Sequence, residues 1–422
     1  MDPAYIALII LGAVVVLYIT ELLPLPLTSV GGCVAMVIFG VATFGEAFSG
    51  FSNSTVFLVA GMMVVGTALF ETGAAEDIGK KIATLAHSNE KRILLVIMIT
   101  AGVLSAFLNN STTTAMFITV IMGIAAASRG KIHSQRLIMP LAFACNAGGM
   151  LTLVGSTPTV IVQGVLTQAG YEPLGFFEFS LIGLPVFIAV IIYMSTIGYK
   201  ALHKLADLKD TPVIPETEDP HSDNGKRTSK KKTAVAIMLL CIILFITEPF
   251  PPGLTAMIGA WLCLVTGCLK EKDTYRNFDW TTVLVLAGSL GIAQGLEISG
   301  AGQLIAEQVL ELGVSSNPYV IFGIFIALGM ILTQIMSNTA TTAMMAPIAL
   351  FMAQGLGVSP YPFMLGLCTL TAAGFATPVA TPPNTMALVA GYTFKDYLKI
   401  GGILNIVVFI VTLVFVPLIW PF

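Results

Sequence analysis

The sequence predicts an all-α polytopic membrane protein made of two inverted repeats, each with five transmembrane helices, one of them broken, and a re-entrant hairpin. Three observations predict it. The first is composition: the 422 residues are 56% hydrophobic and 10% charged, with mean hydropathy +0.90, against about 25% charged residues in soluble domains. The second is a polar motif that occurs twice. Asn110-Ser111-Thr112-Thr113-Thr114-Ala115-Met116 and Asn338-Thr339-Ala340-Thr341-Thr342-Ala343-Met344 lie about 228 positions apart. The third is a one-sided distribution of Lys and Arg.

An apolar segment of about 20 residues crosses a bilayer. In chain order the expected spans are 4–22, 27–43, 54–72, 138–168 and 180–199, then 233–249, 253–269, 281–298, 361–392 and 401–420. Segments 138–168 and 361–392 are too long for one plain span and carry internal Pro and Gly, so each is expected to be a broken helix. The stretches 93–127 and 319–356 hold the polar motifs at their centres. Amides and hydroxyls in hydrocarbon need partners, so each stretch is expected to be a hairpin that enters and leaves on one side, with the motif at its tip. Segments 74–88 and 300–312 have amphipathic helical periodicity and are expected to lie along the interface before each hairpin.

With the N-terminus outside, the cytoplasmic loops are 23–26, 73–92, 128–137, 200–232, 270–280 and 393–400. Every Lys and Arg falls in one of them: Lys80, Lys81, Lys91, Arg92, Arg129, Lys131, Arg136, Lys200, Lys204, Lys209, the basic cluster within 226–232, Lys270, Lys272, Arg276, Lys395 and Lys399. The opposite loops carry acids such as Glu46, Glu172, Glu178, Glu307 and Glu311. That is the positive-inside pattern. It fails if either motif segment is an ordinary crossing. Both termini are therefore expected outside, and the hydrophilic stretch 200–232 is expected to be a cytoplasmic linker, rich in Pro, Asp, Glu, Ser and Lys.

The domains expected are a first repeat, 1–199, whose hairpin 93–127 enters from the cytoplasm, the linker 200–232, and a second repeat, 233–422, whose hairpin 319–356 enters from outside. Further matches support the repeat. Leu17-Tyr18-Ile19-Thr20-Glu21 corresponds to Leu244-Phe245-Ile246-Thr247-Glu248, and Thr55 to Gly61 corresponds to Thr282 to Gly288. Five crossings per half invert the second copy. Inverted repeats with broken helices at corresponding positions are the signature of a secondary transporter.

The chemistry lies where motifs and breaks meet. The breaks run from Gly148 to Pro158 and from Gly374 to Asn384. Pro and Gly free backbone carbonyls there, which join Ser, Thr and Asn oxygens as hard ligands for an alkali cation. Helix starts expose N–H groups of partial positive charge, and Asn110, Ser111, Asn338 and Thr339 add polar groups beside them. No Lys or Arg lies in the expected membrane core. An anion there is held by dipoles, amides, hydroxyls and bound cations.

Other classes find no support. His87, His133, His203 and His221 are too scattered for a metal site, and the six cysteines read as apolar packing residues. No nucleophile–base pair or HExxH motif supports an intramembrane enzyme. A sodium/proton antiporter is expected to bury acids in the breaks, and these contain none; Glu21, Glu71, Glu248 and Glu297 sit near span ends. Residues 4–20 lack the basic region of a signal peptide.

At these residues the chain resembles the divalent anion:sodium symporter (DASS) family of the ion transporter superfamily, which carries a Ser-Asn-Thr signature at each hairpin tip. Ser337-Asn338-Thr339 matches it in full, and Asn109-Asn110-Ser111 departs at two of three positions. The breaks Gly149 to Pro158 and Thr381-Pro382-Pro383-Asn384 are also similar, with Thr159 where an Asn is more usual. The resemblance implies a homodimer in membrane lipid, each protomer with a scaffold part and a transport part that moves like an elevator. It implies one sodium site at Ser105, Asn109, Asn110 and the Gly155 region, and another at Thr333, the Met336 carbonyl, Asn338 and the Ala380 region. Substrate carboxylates would meet Asn110, Ser111, Asn338 and Thr339, with Thr157 and Pro382 nearby. The expectation is sodium-coupled transport of C4-dicarboxylates such as succinate, malate or fumarate across a bacterial cell membrane. The departure at the first tip keeps a sulfate carrier and a sodium-independent dicarboxylate exchanger open as alternatives.

Overall fold

The structure, a computed structural model, describes residues 2–74, 89–128, 132–204, 230–305 and 317–422. Among them all regular structure is helical. In the first half these are α1 Pro3–Thr20, α2 Leu25–Ile38, the short α3 Phe44–Ala47, α4 Ser54–Glu71, α5 Glu90–Ser105, α6 Asn110–Ala127, α7 Gln135–Gly148, α8 Thr157–Gln168 and α9 Ser180–Lys204. The second half holds α10 Lys231–Thr247, α11 Pro252–Val265, the short α12 Glu271–Asn277, α13 Trp280–Ile298, α14 Pro318–Leu332, α15 Asn338–Gly355, α16 Tyr361–Ala372, α17 Pro382–Ala387 and α18 Phe394–Ile419.

Local chemistry sets the boundaries. The Asp2 carboxylate accepts from the Ala4 N–H at 3.0 Å and Pro3 occupies the first turn, so α1 begins there. Glu21 ends it in the left-handed region, φ 49°, and Glu248 ends α10 the same way at φ 47°. Prolines then block continuation, and α2 and α11 start behind them. Gly40, at φ 70°, and Gly267, at φ 71°, follow the ends of α2 and α11. Each of these two helices has 14 residues, about 21 Å at 1.5 Å per residue, shorter than the expected spans 27–43 and 253–269. Among the described residues, five helices are individually long and apolar enough to cross a membrane: α1, α4, α9, α13 and α18.

Other boundaries also differ from the sequence reading. The last span was expected at 401–420, but α18 starts at Phe394 because Thr393 and Asp396 form a capping box, with Thr393 Oγ1 2.7 Å from Asp396 Oδ2. The charged first turns carry no hydropathy signal, so 393–400 read as a loop. Similarly, α9 continues to Lys204 through a π-helical turn at Met194–Gly198. The loop expected at 270–280 contains α12. Residues 75–88, 205–229 and 306–312, which bear most of the amphipathic segments and the linker, lie outside the described residues.

Small residues bring helices into contact. A Cβ on Gly61 of α4 would lie 2.6 Å from the Ala256 carbonyl of α11, and one on Gly288 of α13 would lie 2.6 Å from Ser29 of α2. With Tyr18 OH 2.7 Å from Ser29 Oγ, and with α10 packed on α11 and α4 and α13 packed on α4, these contacts join α1, α2, α4, α10, α11 and α13 into one group. The second group contains α5–α9 and α14–α18. There α5 packs on α7 with Gly148 against Gly102, and α14 and α15 pack on α16. The groups meet chiefly where α8 and α15 lie on α13. A polar cavity lies between them.

Candidate substrate and cation site

The first polar motif starts α6. The turn after Ser105 ends at Asn109, whose Oδ1 accepts from the Ser111 N–H at 2.8 Å, so the Asn109 side chain caps the helix. The amide of Asn110 points away from the cavity floor into a cluster of oxygens. With Nδ2 turned inward it donates to Ser105 Oγ at 2.6 Å, Gly155 O at 3.0 Å and Cys145 O at 3.2 Å. With Oδ1 inward, it accepts from the Ser105 hydroxyl and completes a group of four oxygens. Such a group suits a hard cation.

Two glycines permit this contact. A Cβ on Gly149 would stand 2.5 Å from Asn110 Oδ1, and one on Gly155 would stand 2.5 Å from the Gly149 carbonyl. The helix break from Gly149 to Ser156 therefore seats directly against the tip, and Thr152 Oγ1 donates to the Ala106 carbonyl across the same contact.

The second motif starts α15. Asn338 N–H donates to the Ala380 carbonyl at 3.1 Å, which ties this tip to the second break. Thr339 N–H donates to Asn338 Oδ1 at 2.7 Å, Ala340 N–H to Ser337 Oγ at 3.2 Å and Thr341 N–H to Ser337 O at 3.0 Å. The first four N–H groups of α15 are thus occupied, which corrects the expectation that this tip offers backbone donors to an anion. Because Oδ1 faces its own helix, Nδ2 is the Asn338 donor left for a ligand. Behind the tip, Thr333 Oγ1 donates to Thr371 O at 3.1 Å, and Thr342 Oγ1 lies 2.7 Å from Thr371 Oγ1. Met336 is buried in the same turn.

The six residues expected to meet substrate, Asn110, Ser111, Thr157, Asn338, Thr339 and Pro382, all line one cavity of about 320 Å³, a volume within the range of small-molecule sites. Of the expected cation ligands, Asn109, Asn110, Gly155 and Asn338 also border it, while Ser105, Thr333, Met336 and Ala380 stand behind the lining. The wall on the α4 side is formed by Val59, Met62, Met63, Gly66 and Thr67. Among the described residues no Lys, Arg or His lines the cavity. Its ionisable residue is Asp279 at the start of α13, whose Oδ2 accepts from Thr282 Oγ1 at 2.6 Å.

Among the lining residues that sequence reasoning did not assign to the site are Asn146, Ser156 and Thr381. Ser156 and Thr381 are the N-caps of α8 and α17 with nearly the same extended backbone, φ −135° and −140°, and neither side chain makes a capping bond. The Ser156 hydroxyl is buried without a partner among the described residues. A hydroxyl residue ahead of Thr157-Pro158 and Pro382-Pro383 was the readable signal, since Pro in the first turn marks the preceding residue as the cap.

Comparison with known proteins identifies the family. The model of the citrate transporter family, CitMHS, matches residues 15–367. An uncharacterized transporter of Escherichia coli, YfbS, is 23% identical, with 98% of each chain covered. The sodium-dependent dicarboxylate transporter SdcS of Staphylococcus saprophyticus is 26% identical over 94% of this chain and 83% of that one. Among solved structures, the YdaH transporter of Alcanivorax borkumensis superposes with a TM-score of 0.56 at 15% identity, covering 91% of this chain and 89% of that one. That likeness bears on the fold alone. The family and these relatives are transporters rather than enzymes, and with the family model matching most of its length, this chain is a secondary membrane transporter that belongs to the citrate transporter family.

Proposed function

We propose that the protein couples sodium entry to uptake of C4-dicarboxylates. The observation that carries this reading is the cavity itself. The starts of α6, α8, α15 and α17 converge on it, basic side chains are absent from its described lining, and the Asn110 oxygen cluster sits beside it. Amide and hydroxyl donors with helix dipoles suit carboxylates, and a cation among the oxygens adds the missing positive charge. The relative named as a sodium-dependent dicarboxylate transporter supports the same pairing.

The hydropathy and charge pattern supports a topology with both termini outside and α5–α6 and α14–α15 as hairpins entering from opposite faces. In that frame the cavity-lining residues Leu25, Asp279, Thr281 and Thr282 lie at the cytoplasmic ends of α2 and α13, so this conformer faces inward. The group α5–α9 with α14–α18 then moves as the transport part of an elevator, inside a homodimer. Cross-linking in native membranes tests the dimer.

The deciding experiment is uptake of labelled succinate into proteoliposomes. A sodium gradient is expected to stimulate it; strong counterflow without sodium stimulation would sink the symport reading. Sodium-independent exchange is the second reading, favoured by one observation: the Asn110 amide, with Nδ2 inward, lies within hydrogen-bond distance of the Ser105, Gly155 and Cys145 oxygens and supplies them two donors with no ion present. A sulfate competition arm separates the remaining anion alternative.

A further inference from the structure

We propose that Asn146 is a positioning residue that fixes the Thr381 hydroxyl as a hydrogen-bond donor to the substrate, an inference that rests on the dicarboxylate reading of the cavity. Its basis is a chain of donors with one allowed polarity. Asn384 Nδ2 donates to Gly374 O at 2.7 Å and Thr377 O at 3.0 Å, so Asn384 Oδ1 is an acceptor. Asn146 Nδ2 donates to that Oδ1 at 3.1 Å and to Thr381 Oγ1 at 2.9 Å. Reversing the Asn146 amide would set its carbonyl oxygen against that of Asn384, and the orientation is therefore fixed.

The consequence falls on Thr381. Its Oγ1 receives the Asn146 hydrogen, so its own hydrogen points elsewhere. The side chain makes no capping bond in α17, and Thr381 lines the cavity. A carboxylate there meets a donor rather than a lone pair. The arrangement leaves Asn146 Oδ1 buried and without a partner among the described residues, which is unfavourable for an amide. Asn146 is thus not placed to satisfy its own hydrogen bonds. It stands on α7 of the first half and acts on a substrate contact of the second, across 235 positions of sequence.

The test measures succinate uptake by the full-length protein in proteoliposomes at saturating sodium. Asn146→Leu is expected to raise KM about tenfold with kcat and the sodium half-saturation unchanged, the signature of binding lost equally in ground and transition states. Thr381→Val gives the same rise, Thr381→Ser keeps the wild-type KM, and the double variant Asn146→Leu with Thr381→Val is no worse than Thr381→Val alone. If Asn146→Leu does not fold, Asn146→Asp provides the reading, because its carboxylate accepts the Thr381 hydrogen and raises KM likewise. An unchanged KM, rises that multiply in the double variant, or a shift in sodium half-saturation instead would overturn the role. Failure of the wild-type protein to take up any dicarboxylate overturns the reading of the cavity and this role together; wild-type uptake with an indifferent Asn146→Leu overturns the role alone.

Discussion

Gly149 lies so close to the Asn110 amide that a methyl group there would stand 2.5 Å from Oδ1 and 2.7 Å from Nδ2. Real Cβ atoms do not approach so near. Gly149 is in ordinary right-handed conformation, φ −59°, so Ala is acceptable to its own dihedrals and its effect falls on Asn110 and on the Gly155 carbonyl, 2.8 Å from the added Cβ. Gly149→Ala is expected to cut sodium-driven succinate uptake at least about tenfold while the protein keeps its gel-filtration profile. Gly123→Ala, at an exposed position of α6 where a Cβ meets nothing within 4 Å, keeps normal uptake. Equal loss in both variants would show that the Gly149 contact is not the cause.

The role of that glycine shows what sequence could and could not convey. Pro and Gly in 148–158 and 374–384 announced the breaks, because they act on the backbone wherever they stand. The motifs at Asn110 and Asn338 announced helix starts for the same local reason. Asn146 gave no such signal. It reads as one polar residue in an apolar run, and its meaning depends on Thr381 and Asn384, which only the fold brings near. The occupied N–H groups of α15 were likewise invisible, since the Ala380 carbonyl reaches Asn338 from 42 positions away. The extra turns of α18 were hidden by Lys395, Asp396 and Lys399, whose charge masks a helix that a capping box starts.

The two tip asparagines have different partners, and substitution of either tests the site. Asn338→Ala removes the Nδ2 donor facing the cavity and the acceptor of the Thr339 N–H; transport is expected to be abolished. Asn110→Ala removes the amide from the oxygen cluster and is expected to be nearly as severe. Normal uptake by either variant, with normal folding, would refute the placement of the site.

Ser105 offers a finer probe of the cation. Its Oγ lies 2.6 Å from Asn110 and lies behind the cavity lining, away from substrate. Ser105→Ala deletes one oxygen of four. The half-saturating sodium concentration is expected to rise severalfold, with the succinate KM at saturating sodium nearly unchanged. Sodium titrations of initial rate check this. An identical sodium dependence in both proteins would place the coupling ion elsewhere.

Gln168 governs the opposite end of the interface. From α8 its Nε2 donates to Gln294 Oε1 of α13 at 2.9 Å and to Ser49 Oγ at 3.2 Å, and its own Oε1 is buried with no partner among the described residues. One turn earlier, Gly164 rests on Leu290, 3.0 Å from where its Cβ would be. The surface there is smooth and apolar, and Gln168 holds α8 against it. If α8 slides along α13 during transport, these bonds belong to the inward-facing state and break on leaving it. Each is worth about 1 kcal/mol net, about 2 kcal/mol together, so Gln168→Ala is expected to shift the inward-to-outward ratio roughly thirtyfold toward outward. A cysteine at Thr112, which lines the cavity, reports the shift through an impermeant maleimide, because the six native cysteines are buried. Labelling should fall from the cytoplasmic side and rise from the outside. Labelling that is the same with and without Gln168→Ala would mean that α8 and α13 do not part, and an elevator displacement at this interface would have to be abandoned.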